Sequence, residues 1–217
     1  MQKDHPIFTR AADGTLSFEH IALYLANLRF LVGQTVSHMD RAIGCAEARG
    51  DAALSAHLAE KREEERGHDV WADRDLRCVR PHLRTVVVNA PNEAMRALVR
   101  FVESTIDRDP SLYLSYMFVA EYLTVLCGPS WLRLLEERCG IPTSSMTVIG
   151  NHVELDREHT EEALALIDQL VTDPRKLAPM RQVARDAIDR FDRFFAAFIE
   201  EADRHVARDV RVQAPAA

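Results

Sequence analysis

Apolar positions along this chain recur at intervals of three and four, and no stretch alternates with period two. Each periodic stretch predicts a helix. The first opens at Thr15 and Ser17, with Glu19 placed to cap it, and runs to about Arg49. Ile21, Leu25, Leu28, Leu31, Val32 and Val36 form its apolar face. Gly50 stops that helix, and Asp51 can cap a second one through Val79, which Pro81 ends. The short β-branched stretch Leu83–Val88 predicts an extended connection. Pro91 sits near the start of a third helix that reaches Asp107. Pro110 separates it from a fourth, Ser111–Cys127, and Gly128-Pro129 predicts a break before a short fifth, Ser130–Arg138. A sixth starts at Ser144 or Ser145 and ends near Val171. Pro174 and Pro179 precede a seventh, Met180–Val206. Seven helices with short connections and no internal repeat predict an all-α bundle, one domain over residues 1–217.

Composition changes this picture little. The chain has 217 residues, 47% hydrophobic and 28% charged, with 27 basic and 34 acidic side chains for a net charge of −7. An acidic surplus argues against a phosphate-backbone partner, so no nucleic acid is expected. No signal-like N-terminus and no uncharged membrane-length run is read, so no membrane partner and a cytoplasmic address are expected. The four cysteines lack metal or redox spacing and read as small buried hydrophobes.

Three segments carry chemistry. His152, Asp156 and His159 form an H-x3-D-x2-H pattern, which stacks on one helix face over two turns. Two imidazoles and a carboxylate suit iron, zinc or manganese better than calcium or magnesium. The second segment places His68 three residues after Glu65 and four after Glu64, and either pair shares a helix face. A run of Glu, Arg and Lys is commonly only a solvated surface. Gly67 beside His68 suggests a close approach there, because glycine weakens a helix. The third is Glu121, the one formally charged residue between Pro110 and Arg133. A carboxylate buried in an apolar helix needs a partner or a metal. Leu114, Met117, Phe118 and Val125 share or flank its face. Tyr24, Tyr113, Tyr116 and Tyr122 read first as packing aromatics, and His38 can reach the bundle centre from the first helix.

Glu64 to Asp69, Glu121, and the His152–Asp156–His159 motif together resemble the heme-oxygenase-like diiron oxidases and oxygenases, across most of the chain. The resemblance implies a heme-oxygenase-like bundle, the fold shared by TenA- and PqqC-like proteins. It implies metal ligands at Glu64 or Glu65, His68, Glu121, His152, Asp156 and His159, holding two Fe(II) ions. With O2 as co-substrate, such a site would oxidise a small amino-acid-like or fatty-acyl molecule, with a reductant or redox partner as an option. Two other readings stay open. One is a TenA-like hydrolase or PqqC-like cofactorless oxidase, the former favoured by a nucleophilic cysteine such as Cys127. The other is a non-catalytic binding protein. Phe191, Phe194, Phe195 and Phe198 make an apolar stripe on the last helix, suited to the core or, less simply, to a homodimer.

Overall fold

The computed structural model describes residues 4–84 and 90–213, less the side chains of 157–159, 161–163, 165, 166, 168, 170 and 208–213. Eight α-helical segments follow one another: α1 (Pro6–Ala12), α2 (Phe18–Ala48), α3 (Ala52–Glu64), α4 (Asp69–Val79), α5 (Glu93–Arg108), α6 (Tyr113–Cys139), α7 (Thr147–Leu170) and α8 (Leu177–Gln213). No strand occurs among the described residues. Because α3 and α4 are one helix interrupted at Gly67, the architecture is the all-α, seven-helix bundle that the periodicity predicts.

The differences lie in how the seven are divided. The short α1 was not expected; His5 caps it by accepting from the Ile7 N–H, and Pro6 suits its first position. Ser17 does start α2, but the reciprocal cap comes from His20, which accepts the Ser17 N–H at 3.2 Å. Glu19 instead receives the Arg84 N–H at 2.8 Å and ties down the end of the α4–α5 connection. Of the predicted extended stretch, residues 85–88 lie outside the described residues. The largest difference is at Gly128-Pro129, where α6 runs straight on and merges the predicted fourth and fifth helices. Proline removes one rung of the hydrogen-bond ladder, and packing carries the helix past it.

That packing is against α7. A Cβ placed on Gly128 would lie 2.5 Å from Val153 Cγ2 and 3.5 Å from Ile149 Cγ2. Glycine is present because the Val153 side chain of α7 packs onto the α6 backbone there, not because the helix stops. α2 runs through the bundle beside α3, α4, α5 and α8, while α6 lies along α7. The phenylalanine stripe of α8 is core: Phe191, Phe194 and Phe198 are buried and Phe195 packs against them. Asn27 on α2 bridges inward contacts, donating to Leu23 C=O and accepting the Asn92 N–H at the start of α5. His38 is buried, and burial together with the Arg41 charge holds its imidazole down at about 4, neutral at pH 7. The cysteines are free thiols, and Cys78 is exposed where the sequence suggested a buried one. α6 with the turn before it is long and apolar enough to cross a membrane by length and composition alone, and it is the helix that carries Glu121.

Gly128→Ala should destabilise the protein by about 1–3 kcal/mol, although alanine is the better helix former. Denaturant melts would show it. Val153→Ala in the same chain should recover part of the loss by making room for the new methyl.

Candidate metal centre

The site is built where one helix ends and another begins. α3 stops at Glu64, Glu65 is its C-cap, and Gly67 takes φ +85° before His68 opens α4. A left-handed φ is nearly free for glycine and costly for other residues. Nothing lies within 4 Å of the Cβ position at Gly67, so this conformation, and not a close neighbour, explains the glycine. The break turns Glu65 and Glu64 to different surroundings. The Glu65 side chain is 14% exposed and accepts from His68 Nδ1 at 3.0 Å. Glu64 is half-exposed, with Lys61 Nζ 2.9 Å from its Oε2.

His152 reaches the same point from α7. Its ring lies 5.0 Å from that of His68, centroid to centroid and nearly perpendicular. Glu65, His68 and His152 each offer a ligand atom, and these atoms all lie within 4.8 Å of one another. Trp71 stacks on His68 at 4.1 Å and meets the edge of His152 at 5.4 Å, so both rings are held in place. The Nδ1 of His152 donates to the Val148 carbonyl, one turn back on α7. That bond sets the tautomer and leaves Nε2 as the lone-pair nitrogen.

Carboxylates crowd the adjoining space. Glu65, Glu121, His152 and Asp156 line a cavity of about 130 Å³ whose remaining wall is mostly apolar, with Tyr113 and Tyr116 among it. Burial, then the charges of Glu121 and Glu65, push the Asp156 carboxyl up to about 8, and Lys61 only partly offsets them. Burial also acts to raise Glu65, but its hydrogen bond to His68 and the charges of His68, His152 and Lys61 outweigh it, and its carboxyl sits below the usual range. The Tyr113 and Tyr116 hydroxyls are pushed up, mainly by burial and further by Glu65, and stay protonated. Of the apolar residues expected around Glu121, Met117 lines the cavity, while Leu114 is buried in the core. Tyr122 is exposed. The His159 side chain lies outside the described residues.

Sequence reasoning missed Asp75, which organises the site from α4. It is fully buried, accepts Thr147 Oγ1–H at 2.7 Å and the Val148 N–H at 2.8 Å, and so caps the start of α7. The signal was present: Asp75 follows His68 by seven residues and shares its helix face. Lys61 and Trp71 were also missed, Lys61 because it stands in a run that looks solvated.

No protein-family model matches the sequence, and neither does any curated protein. Solved structures do match. A domain of unknown function with a heme oxygenase-like fold from Shewanella denitrificans superimposes with a TM-score of 0.80 at 16% identity, covering 93% of this chain and 86% of that one. The fold is heme-oxygenase-like. A CADD-like protein of unknown function from Nostoc punctiforme gives 0.71 at 20% identity, covering 92% and 89% of the two chains. A TenA homolog from Pseudomonas syringae gives 0.69 at 17%, covering 91% and 86%. Identities this low carry the heme-oxygenase-like fold and not an activity.

Asp75→Ala leaves the Thr147 hydroxyl and Val148 N–H buried without their acceptor. It should cost about 2–4 kcal/mol in equilibrium unfolding, more than removal of an exposed cap. Asp75→Asn, which keeps one acceptor oxygen, should cost less than half of that.

Proposed function

We propose that this protein is a non-heme, iron-dependent oxidoreductase that uses O2 to oxidise a small, largely apolar molecule. The observation that carries the reading is the convergence of Glu65, His68 and His152 ligand atoms within 4.8 Å. Two imidazoles and one carboxylate, with positions left open, are the donor set of non-heme Fe(II) oxygenases. Two further features fit a cation here. The His152 tautomer is fixed by the Nδ1 bond, which places the lone pair on Nε2. Burial, and after it the charges of Glu121 and Glu65, keep Asp156 protonated near neutral pH, and a dication relieves the second of these. Glu121, Asp156 and His159 complete the ligand set that the resemblance implies for two irons.

Bound iron would supply the binding and reduction of O2. The chain's own residues do the rest. Asp156 gives up its proton as a cation enters. Trp71 and the Val148 carbonyl keep the two imidazoles from turning. The apolar wall of the cavity excludes water and limits side reactions. Protonated Tyr113 and Tyr116 place phenols in that wall without adding charge. Electrons beyond those of the substrate would come from an external reductant.

The cavity also bears on the substrate. A second apolar cavity of about 90 Å³ shares Leu28, Leu31, Ala120, Thr124, Ile149 and Phe191 with the first. A benzene-sized ligand fits a void of ~150 Å³, so the two in series suit a short acyl chain. Among the described residues, neither lining includes Lys or Arg. A hydrolase reading would rest on Cys127, which lines the second cavity. Burial pushes its thiol up, away from the reactive thiolate.

Anaerobic titration with Fe(II), then mixing with O2 in the presence of a fatty acid, tests the proposal. The wild-type chain should bind iron and develop a transient visible absorption. Glu65→Ala and His152→Ala should each weaken binding by roughly 10- to 100-fold. Affinity should rise with pH and level off near 8, because below that value the metal must displace the Asp156 proton. An iron-loaded wild type that gives no absorption change with O2, with or without fatty acid, would overturn the reading.

A further inference from the structure

The second, apolar cavity of about 90 Å³ is walled mainly by long core helices, with Tyr24 from α2, Trp131 from α6, and Phe194 and Phe195 from α8. Two wall residues differ in kind. Ile7 and Phe8 come from α1, a helix of seven residues, and neither belongs to the wall of the first cavity. A helix this short does not sustain itself in water, because nucleating it costs more than so few hydrogen bonds return. α1 therefore persists only while something holds it against the bundle.

Part of that hold is apolar, since Ile7 and Ala11 are buried. The rest is a pair of polar latches to α8. His5 caps α1 by accepting the Ile7 N–H at Nδ1, which leaves Nε2 to donate to the Asp192 carbonyl at 3.3 Å. Further along α1, Arg10 Nη1 donates to Asp203 Oδ2 at 2.6 Å. The other oxygen of Asp203 lies 3.1 Å from Nε2 of His20, a buried residue of α2. The Arg10 and Asp203 side chains are 27% and 50% exposed, so water competes for this latch and keeps its contribution small. The turn behind α1 is firm by contrast. Gly14 takes φ +68°, and a Cβ there would lie 2.7 Å from the Arg138 carbonyl oxygen near the end of α6. A weakly latched short helix on a fixed turn is a unit that opens without unfolding the core behind it.

We propose that α1 is the lid of this second cavity, latched to α8 by Arg10–Asp203 and His5–Asp192, and that small apolar molecules enter as α1 lifts from its turn at Gly14. The cavity then has an entrance of its own, separate from the wall that carries Glu65 and His152. The proposal needs no metal ion and fails or stands separately from the metal-site reading.

The test pairs hydrogen exchange of the wild-type chain with entry of chloroform, a small apolar quencher of indole emission. Entry is followed in the full chain carrying Trp71→Phe, so that Trp131 is the one indole left. Chloroform should quench Trp131 in a slow phase after mixing, and the α1 amides should exchange faster than those in the middle of α2 and α6. Arg10→Met and Asp203→Asn should each speed the slow phase by about two- to fivefold, the size of an exposed ion pair. Each should speed exchange of the α1 amides by the same factor and leave the final extent of quenching unchanged. Thermal melts identify any variant that fails to fold, and raised salt on the parent chain, which weakens the same latch, then takes its place. No quenching of Trp131 would overturn the proposal, because the cavity then admits no ligand. So would α1 amides as slow to exchange as those of the core helices. An unlatched α1 that exchanges faster while chloroform enters at the parent rate would overturn it too, and would put the entrance on the side of the first cavity.

Discussion

The candidate centre depends on one buried carboxylate holding two helices in register. Asp75 belongs to α4, which begins at His68; its oxygens cap α7, which carries His152. Without that cap, the start of α7 has no fixed relation to α4, and the two imidazoles have no reason to meet at 5.0 Å. A cap of this kind is directional and short, so it sets both the height and the rotation of α7 against α4. The close approach of α6 at Gly128 then fixes the other side of α7 and with it the distance to Glu121. Three helices are thus located relative to one another by one hydrogen-bonded side chain and one absent side chain.

The heart of this arrangement was legible in the sequence, and the reasons are periodic. His152 and Asp156 lie one turn apart, and any helix through them brings them to one face. The lone charge of Glu121 in an apolar stretch marked it out, and it lines the cavity, though only half-buried and not enclosed as expected. What periodicity could not supply was the choice between Glu64 and Glu65. Both are within a turn of His68, and only the geometry separates them: Glu65 brings a ligand atom within 4.8 Å of those of His68 and His152, while Glu64 meets Lys61. The Gly128-Pro129 pair misled for a related reason. Local propensity reads both residues as breakers, whereas the tertiary contact with Val153 and Ile149 explains the glycine, and the helix tolerates the proline. Asp75 and Lys61 were hidden by their company: each stands among charged neighbours that face water, and only its position on the inward face sets it apart.

The charge of the chain also looks different once the interior is known. A net charge of −7 hides charges of both signs in the interior, where Asp156 is protonated near neutral pH and Lys61 is buried. Part of the acidic surplus is a local feature of the core, stored as repulsion between carboxylates. Folding tolerates it because one carboxyl keeps its proton and one ammonium sits nearby. A metal ion would exchange that compromise for coordination, and would be expected to tighten the packing of α3, α4, α6 and α7 around it.

The chain contains two tryptophans, one beside the candidate metal ligands and one at the second cavity. Trp71 lies face to face with His68, while Trp131 is buried in the wall of the second cavity, edge-on to Tyr24 at 5.0 Å. Indole emission is sensitive to its immediate neighbours, and these two environments differ in polarity and in proximity to an ionisable ring. The protein therefore carries its own pair of optical reporters: one senses events at the imidazoles, the other the filling of the apolar inner lobe.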